Sequence, residues 1–155
     1  MKRFILIILF VFVSFVSYSQ KLYEGTSTFE SGVICNVQNG YVYKKTSTMS
    51  QDLIYYFDGT YLYKLNGSKS HTTNDIVLTY NNGKFYCGKS TMHYDLVCIW
   101  YKNRLYGAQS MYESDILFTY SNNKIYLGNS TMHNNIIYNT SGYIHPAILV
   151  VMISL

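Results

Sequence analysis

Short aromatic and aliphatic runs alternate along this chain with pairs of turn-forming residues, and these pairs recur at a regular spacing. Asn and Gly tolerate the positive φ angles of the type I′ turns that join twisted antiparallel strands. Six pairs lie 19 to 24 residues apart, at Asn39-Gly40, Asp58-Gly59, Asn82-Gly83, Asn103-Arg104, Asn122-Asn123 and Ser141-Gly142. The pattern predicts six tandem β-hairpins with a period of about 20 residues.

Each unit repeats the same order of elements. An incoming strand such as DILFTY (115–120) meets the turn, and an outgoing strand such as KIYLG (124–128) leaves it. Alternation along a strand places every second side chain on the same face. The face predicted to be buried is formed by Leu53, Tyr55, Phe57, Ile76, Leu78, Tyr80, Leu96, Cys98, Trp100, Ile116, Phe118 and Tyr120.

A Ser-Thr-Met element connects one hairpin to the next. It reads TSTMSQ at 46–51, KSTMHY at 89–94 and NSTMHN at 129–134, and a related AQSMYES stands at 108–114. The third unit carries an extra NGSKSH at 66–71. Ser and Thr hydroxyls bond nearby backbone groups and favour loops. We therefore interpret this element as the longer connection of a repeat.

The repeat predicts an all-β fold. A single hairpin is only marginally stable in water, so the units must stack or close. We expect tandem hairpins of about 20 residues in an open or curled stack or solenoid. The alternative is a closed three-fold trefoil, prism or propeller-like arrangement, since the best matches at Ser47, Ser90 and Ser130 recur about every 40 residues.

The two ends of the chain differ from the repeats. Lys2-Arg3 precedes an apolar run of 13 residues, and small residues at Ser17 and Ser19 suit a cut before Gln20. This layout is typical of a secretory signal peptide, because a bilayer span needs about 20 apolar residues. The predicted domains are a signal peptide over 1–19, a β-hairpin repeat domain of about six units over 20–142, and an apolar C-terminal cap or last strand over 143–155.

Composition and charge narrow the classes of partner. The chain has 18 Tyr, one Pro and one Trp, which favours strands over helices. Without Lys2-Arg3 the net charge is +2, and no basic patch typical of a nucleic-acid-binding protein remains. Export permits a disulfide between Cys87 and Cys98; buried free thiols, including Cys35, are the alternative.

Two resemblances follow from these motifs. The pattern G-K-x-Y-x-G-x-S-T-M-x-x-D-I/L, with SYSQ before a mature Gln, resembles small exported β-hairpin repeat proteins of Bacteroidetes-type bacteria. This resemblance implies secretion and an all-β fold and transfers no activity. YYFDGTYLYK (55–64) is also similar to the aromatic hairpin repeats of choline-binding and clostridial-toxin glycan-binding modules. Those repeats are richer in Trp or Gly, and Trp100 alone cannot rebuild a Trp-lined choline cage.

The residues do not predict an enzyme. Ser90, His93 and Asp95 contain the letters of a catalytic triad, but they crowd into one loop, whereas triads draw on separated segments. In a flat stack, His93 and His133 lie about four strands, or roughly 19 Å, apart, too far to share a metal ion. No carboxylate pair is placed for glycoside hydrolysis, and no Gly-rich phosphate loop precedes a helix. We predict no catalytic residue, no metal site and no cofactor.

Tyrosines that recur on outgoing strands are the candidate binding residues. They are Tyr41, Tyr43, Tyr61, Tyr63, Tyr86, Tyr106 and Tyr126. On an exposed face they would stack on sugars or on another protein; cross-strand packing is the alternative. Our hypothesis is an exported (periplasmic, cell-surface or extracellular) non-enzymatic repeat protein, without a stable transmembrane anchor after cleavage, that presents a Tyr/Asn/Ser/Thr surface for glycan or protein binding. The alternative is a structural or envelope-assembly component with no small ligand.

Overall fold

The computed structural model describes residues 19–107 and 110–153. Within these residues twelve strands pair with their neighbours in sequence, and β1 also pairs with β12, so the sheet closes into an antiparallel barrel. The strands are β1 (Gln20–Glu24), β2 (Val33–Gln38), β3 (Tyr41–Lys44), β4 (Leu53–Phe57), β5 (Tyr61–Lys64), β6 (Ile76–Asn81), β7 (Lys84–Cys87), β8 (Leu96–Tyr101), β9 (Arg104–Gly107), β10 (Ile116–Ser121), β11 (Lys124–Leu127) and β12 (Ile136–Thr140). The helix α1 (Pro146–Ile153) follows β12.

The expected open or curled stack is wrong, because this sheet has no free edge strands. Without the β1–β12 pairing, β1 and β12 would be unpaired edge strands, and unpaired edges favour aggregation. The structure instead has the closed arrangement of the alternative prediction, with six hairpin units in the ring. The predicted signal peptide over 1–19 lies outside the described residues except for Ser19.

Strand β1 completes the sixth hairpin from the other end of the chain. Its register on β12 joins Glu24 to Tyr138, just as Leu127 of β11 joins Phe118 of β10. The N–H group of Gly25 donates to the carbonyl of Ile137 at 2.9 Å, and Gly128 makes the equivalent 2.9 Å bond to Leu117. The segment KLYE (21–24) is therefore an outgoing strand that pairs with an incoming strand far along the sequence.

The first five predicted turn pairs join contiguous hairpins. Asn39, Asn82 and Asn122 adopt φ angles of 52°, 48° and 50°, the left-handed region that such turns require. The sixth pair, Ser141-Gly142, leads instead toward α1, and β1 supplies the partner strand of β12.

A β-bulge near the start of incoming strands changes which side chains enter the core. Ile116 pairs with Tyr106 and Phe118 pairs with Leu105, so Leu117 is an extra residue between them. One extra residue turns the preceding side chain to the other face. Leu53 and Ile76 consequently pack with outward-facing tyrosines in a separate cluster, whereas strict alternation predicted them in the main core.

Helix α1 fills the barrel. It starts where β12 ends, at the end of the barrel that carries the hairpin turns, and runs toward the end that carries the longer loops. Ala147 and Leu149 have no exposed surface, and the core they join includes Leu22 and Phe85. A helix that is apolar on every side is stable only when surrounded, and the barrel surrounds it. Within the described ranges, no helix is both long and apolar enough to cross a membrane.

The Ser-Thr-Met loops form a second layer over the outer wall. These loops and the two corresponding loops without Ser-Thr-Met each lead into a 3₁₀ turn; the turns are Glu30–Gly32, Ser50–Asp52, Thr73–Asp75, His93–Asp95, Glu113–Asp115 and His133–Asn135. The hydroxyl of Thr79, on the outer face of β6, donates to the carbonyl of Gly88 at 2.6 Å. The amide of Asn36 donates to the carbonyl of Ser47 at 3.0 Å. The loops are thereby held against the barrel.

Candidate functional site

The candidate tyrosines fall into two groups by exposure. Tyr43, Tyr63, Tyr86, Tyr106 and Tyr126 face the outer wall but are only 6–9 % exposed. Each pairs across the bulge with the first residue of the next incoming strand, as Tyr86 does with Leu96, and the folded-back loops form the layer outside them. Tyr41 and Tyr61, at the start of their strands, are half-buried.

Four tyrosines and one histidine form a continuous aromatic cluster on the outer wall. The rings of Tyr41 and Tyr56 stack with centroids 4.4 Å apart, and Tyr56 stacks on Tyr63 at 6.1 Å. Tyr61 meets the edge of Tyr63 at 6.3 Å, and His71 lies 4.3 Å from Tyr63. We call Tyr41, Tyr56, Tyr61, Tyr63 and His71 the aromatic cluster.

Strand register explains why these rings meet. Tyr56 of β4 stands directly opposite Tyr41 of β3 on one side and opposite Tyr63 of β5 on the other. Directly opposed residues in antiparallel strands have side chains close enough for aromatic contact. His71 arrives from the extra segment at 66–71, which returns over β4 and β5 and sets the histidine ring 5.1 Å from Tyr56.

Asp58 hydrogen-bonds two residues of the aromatic cluster, Tyr61 and Tyr63. Its carboxylate accepts hydrogen bonds from the N–H groups of Thr60 and Tyr61 at 2.8 and 2.7 Å and from the Tyr63 hydroxyl at 3.1 Å. Burial acts to raise the pKa of Asp58, but these bonds outweigh burial and hold it below its usual value. Burial, with the bond to Asp58, raises the pKa of Tyr63. Tyr63 is therefore fixed in orientation and neutral.

A polar groove adjoins the aromatic cluster at Tyr61. It has a volume of about 310 Å³ and lies between the second and third hairpins. Hydroxyl, amide and phenol groups dominate its wall, which includes Thr60, Tyr61, Thr79, Asn81, Asn82 and Thr91. The ammonium group of Lys69 lies 5.0 Å from the centroid of Tyr41, at the opposite side of the cluster. Aromatic faces and hydrogen-bonding groups are thus combined on one side of the barrel.

The Ser-Thr-Met element is a loop brace. The hydroxyl of Ser90 accepts a hydrogen bond from the N–H group of Met92 at 3.0 Å and donates to Asp95 at 2.5 Å. Ser47 repeats the pattern with Asp52 at 2.6 Å. Ser90 and Asp95, two of the three residues that resemble a catalytic triad in sequence, therefore hydrogen-bond each other directly and stabilise the loop. The residue two positions after this serine is exposed in five loops; these residues are Phe29, Met49, Met92, Tyr112 and Met132.

The histidines and cysteines do not assemble a metal centre in the part of the chain that the structure describes, where no group of three or more potential ligands converges. His93 and His133 lie in separate loops, with the hairpin of β8 and β9 and that of β10 and β11 between them. All three cysteines carry free thiols, so no Cys87–Cys98 bridge is present.

Sequence reasoning missed Tyr56, His71 and the polar groove. A comparison of the repeat units along the sequence could have indicated this site. Tyr41 and Tyr61 occupy a position that carries a cation in the other outgoing strands: Lys21, Lys84, Arg104 and Lys124. The extra segment that delivers His71 also stands in this part of the repeat. Both departures from the repeat fall beside the same two hairpins.

Comparisons with known proteins were consistent with this architecture. No curated protein and no solved structure matches the chain. A family model described as the 6-fold beta flower protein matches residues 22–152, from β1 into α1. This match confirms the prediction of a small β-repeat protein family, whereas Bacteroidetes-type origin and similarity to choline-binding or clostridial-toxin repeats stay predictions. The family is not a known enzyme family. Because the match covers far more than half of its length, the chain belongs to the six-fold β-flower family.

Proposed function

We propose that this protein is an exported, non-enzymatic recognition module that binds a glycan on the aromatic cluster and in the polar groove beside it. The observation that carries the proposal is the stack of Tyr41 on Tyr56 at 4.4 Å, half-buried on the outer wall in the same aromatic cluster that meets the groove at Tyr61. Export rests on the signal-peptide pattern of residues 1–19.

The chemistry of the two surfaces suits a sugar. An aromatic ring offers a broad apolar face for the C–H groups of a pyranose, and its hydroxyl keeps a polar handle. The groove supplies hydrogen-bonding partners for sugar hydroxyls from Thr60, Asn81 and Asn82. The rings of the aromatic cluster are already packed against one another, so binding costs little side-chain entropy.

The size of the groove limits what enters it. Pockets for small ligands have volumes of about 300–1,000 Å³, and the groove has about 310 Å³. One sugar unit is therefore expected in the groove, with the next unit lying across Tyr61 toward Tyr41. Such a site binds the end of a glycan chain.

The test is a glycan-array screen of the chain that begins at Gln20, followed by titration of any glycan it selects. The Tyr41→Lys/Tyr61→Lys double variant introduces the cation found at equivalent positions such as Lys84 and Lys124, so the fold should be retained. We expect binding to fall at least tenfold. A Lys84→Gln/Lys124→Gln variant serves as the matched control and should bind normally. Absence of binding by the folded chain, or undiminished binding by the tyrosine variant, refutes the proposal.

A second candidate function is assembly with other proteins of the cell envelope. The exposed Phe29, Met49, Met92, Tyr112 and Met132 favour it, because a partner would bury apolar surface at the same position of five loops and methionine adapts to varied partners. The test is light scattering and chemical cross-linking of the chain with a Met49→Ser/Met92→Ser/Met132→Ser variant. This candidate requires association that the variant loses; a strictly monomeric chain that cross-links to no envelope component excludes it.

A further inference from the structure

A second pocket lies at the loop end of the barrel, between the last turn of α1 and the strand wall. Two cavities of about 590 and 290 Å³ share Tyr55, Lys64 and Val151 in their walls. The two cavities therefore adjoin, and we call them together the helix pocket. None of its lining residues belongs to the aromatic cluster, and Tyr55 and Lys64 project to the inner side of strands whose outer side carries Tyr56 and Tyr63. Leu53 and Leu65, also in its wall, pack with Tyr63.

The helix pocket exists because α1 fills the barrel unevenly. Near the hairpin turns, Ala147 and Leu149 are fully buried. Toward the loop end, Val151 and Met152 are only partly buried, and the wall opposite them includes Val77 and Val97. Val97 is 45 % exposed. An apolar surface is thus left open to solvent inside the rim of the barrel.

Two unpaired cations stand on one arc of this rim. Lys44 and Lys64 end their outgoing strands on either side of β4 and line the larger cavity. Among the described residues the only salt bridge is Lys21–Glu30, so neither lysine is neutralised by an acidic side chain there. The equivalent positions on the other strands are Glu24, Cys87, Gly107 and Leu127. At these strand-end positions, positive charge therefore occurs only in the arc beside the larger cavity.

We propose that the helix pocket binds a single-chain fatty acid, with the acyl chain along Val77, Val97 and Val151 and the carboxylate between Lys44 and Lys64. The apolar wall accounts for a hydrocarbon tail, and the two ammonium groups account for one anionic head at its end. The two volumes, about 590 and 290 Å³, fit the range of about 300–1,000 Å³ for small-molecule sites. This site is independent of the glycan surface and takes a different class of ligand.

Cys87 provides a reporter inside the pocket. It lines the smaller cavity and its thiol is free and exposed. Cys35 and Cys98 are buried, and burial raises the pKa of both thiols to about 12, so they react slowly with alkylating agents. The rate of alkylation in the folded chain therefore reports the accessibility of Cys87 alone.

The experiment is calorimetric titration with dodecanoate below its micelle concentration, together with the rate of Cys87 alkylation by a maleimide. We expect one saturable site and at least tenfold slower alkylation at saturation. Dodecanol and dodecyltrimethylammonium should bind at least tenfold more weakly, because they lack the anionic head. Affinity should rise with chain length from decanoate to tetradecanoate, by up to about fourfold per methylene.

Variants and a vesicle arm complete the test. Lys44→Gln/Lys64→Gln should lose the preference for dodecanoate over dodecanol, while the outward-facing pair Lys84→Gln/Lys124→Gln keeps it. Because all four lysines lie at the surface or rim, both variants are expected to fold, and circular dichroism checks that they do. Absence of saturable binding, equal affinity for dodecanol, binding that leaves the rate at Cys87 unchanged, or association only with anionic phospholipid vesicles would overturn the proposal.

Discussion

Two arcs of the outer wall have the same backbone arrangement and differ in their side chains. In the aromatic arc, formed by β3, β4 and β5, the outgoing strands begin with Tyr41 and Tyr61. In the basic arc, formed by β7, β9 and β11, they begin with Lys84, Arg104 and Lys124. The hairpin register is the same, since these first residues pair with the last residue of the incoming strand in β3, β7, β9 and β11 alike.

The comparison separates what the fold needs from what a unit is free to change. The third residue of each of these strands is a buried tyrosine in both arcs, as Tyr43 and Tyr86 illustrate. The first residue is half-buried or exposed, so packing constrains its identity less than that of the buried third residue. A repeat with fixed inner positions and variable outer ones can carry different surfaces on different sides. The aromatic cluster is then a local specialisation of a common unit.

The largest expected effect is a difference in stability between substitutions of the buried and the half-buried tyrosines. Tyr86→Ala removes a side chain that is 8 % exposed and should lower the free energy of unfolding by about 3 kcal/mol. Tyr41→Ala removes a half-buried ring and should cost about 1 kcal/mol. Urea denaturation measures both, and Tyr86→Phe controls for the hydroxyl. Equal costs at the two positions would mean that the outer ring of tyrosines is not the structural layer described above.

The loop brace gives the next largest effect. Ser90→Ala removes the bonds to Met92 and Asp95 in the basic arc and should destabilise the chain by about 1–2 kcal/mol. The loop after β5 in the aromatic arc uses a capping box instead, in which Thr72 and Asp75 bond each other's backbone. Thr72→Ala should cost about 1 kcal/mol. If neither change moves the denaturation midpoint, the loops are held by other contacts.

A pH dependence is expected inside the barrel, where the residue just before the helix packs against the inner side of β4 and β6. His145 stacks on Phe57 at 4.5 Å, meets Tyr80 at 4.9 Å, and accepts a hydrogen bond from the N–H group of Ala147 at 3.1 Å. Burial lowers its pKa below the ordinary value. The unfolded chain therefore takes up this proton first, and stability present above about pH 6.5 is lost as the pH falls toward the folded pKa.

The variant His145→Asn retains a side-chain acceptor for Ala147 but does not titrate. We expect the wild-type melting temperature to fall between about pH 7.5 and 5.5, and the fall to shrink in the variant. Calorimetry in matched buffers measures the difference. Parallel curves for the two proteins would show that His145 is not the titrating group.

The smallest effect tests whether one aromatic side chain makes a site. Lys84→Tyr places a tyrosine in the basic arc opposite Ile99, whereas Tyr41 stands opposite Tyr56. We expect a change in stability within about 0.5 kcal/mol and no gain of glycan binding. Titration with the glycan selected by the aromatic cluster measures the second point. A gain of binding at Lys84→Tyr would show that the neighbouring rings are unnecessary.

Local rules were sufficient to predict the hairpins and insufficient to predict how they close. The left-handed turns at Asn39, Asn82 and Asn122 follow from residue preference alone. Closure depends on KLYE (21–24) meeting β12 across nearly the whole sequence, and a four-residue match at that separation carries no local signal. The final segment was also ambiguous, because a short apolar run rich in Val and Ile suits a buried strand as well as a buried helix. The final segment is a helix because the closed barrel surrounds its apolar side chains, and the sequence does not show that the barrel closes.

The candidate site was predicted in part for a similar reason. Recurrence on outgoing strands pointed to Tyr41, Tyr61 and Tyr63, which the structure brings together. The same recurrence pointed to Tyr86 and Tyr126, which the fold distributes around the barrel beneath loops. Alternation predicts which face a residue occupies, but it does not predict that a loop folds back over that face. Tyr56 was assigned no role because its position in β4 is not repeated as tyrosine in the other incoming strands.

The split sixth hairpin also constrains how the protein is made. Strand β1 leaves the ribosome first and its partner β12 leaves almost last, with α1 still to follow. At usual rates of synthesis, the first strand must wait on the order of ten seconds for its neighbour. Until then the growing chain has a sheet with two open edges and an unfilled interior. A chain truncated before β12 therefore keeps two open sheet edges and an unfilled interior, and we expect it to aggregate.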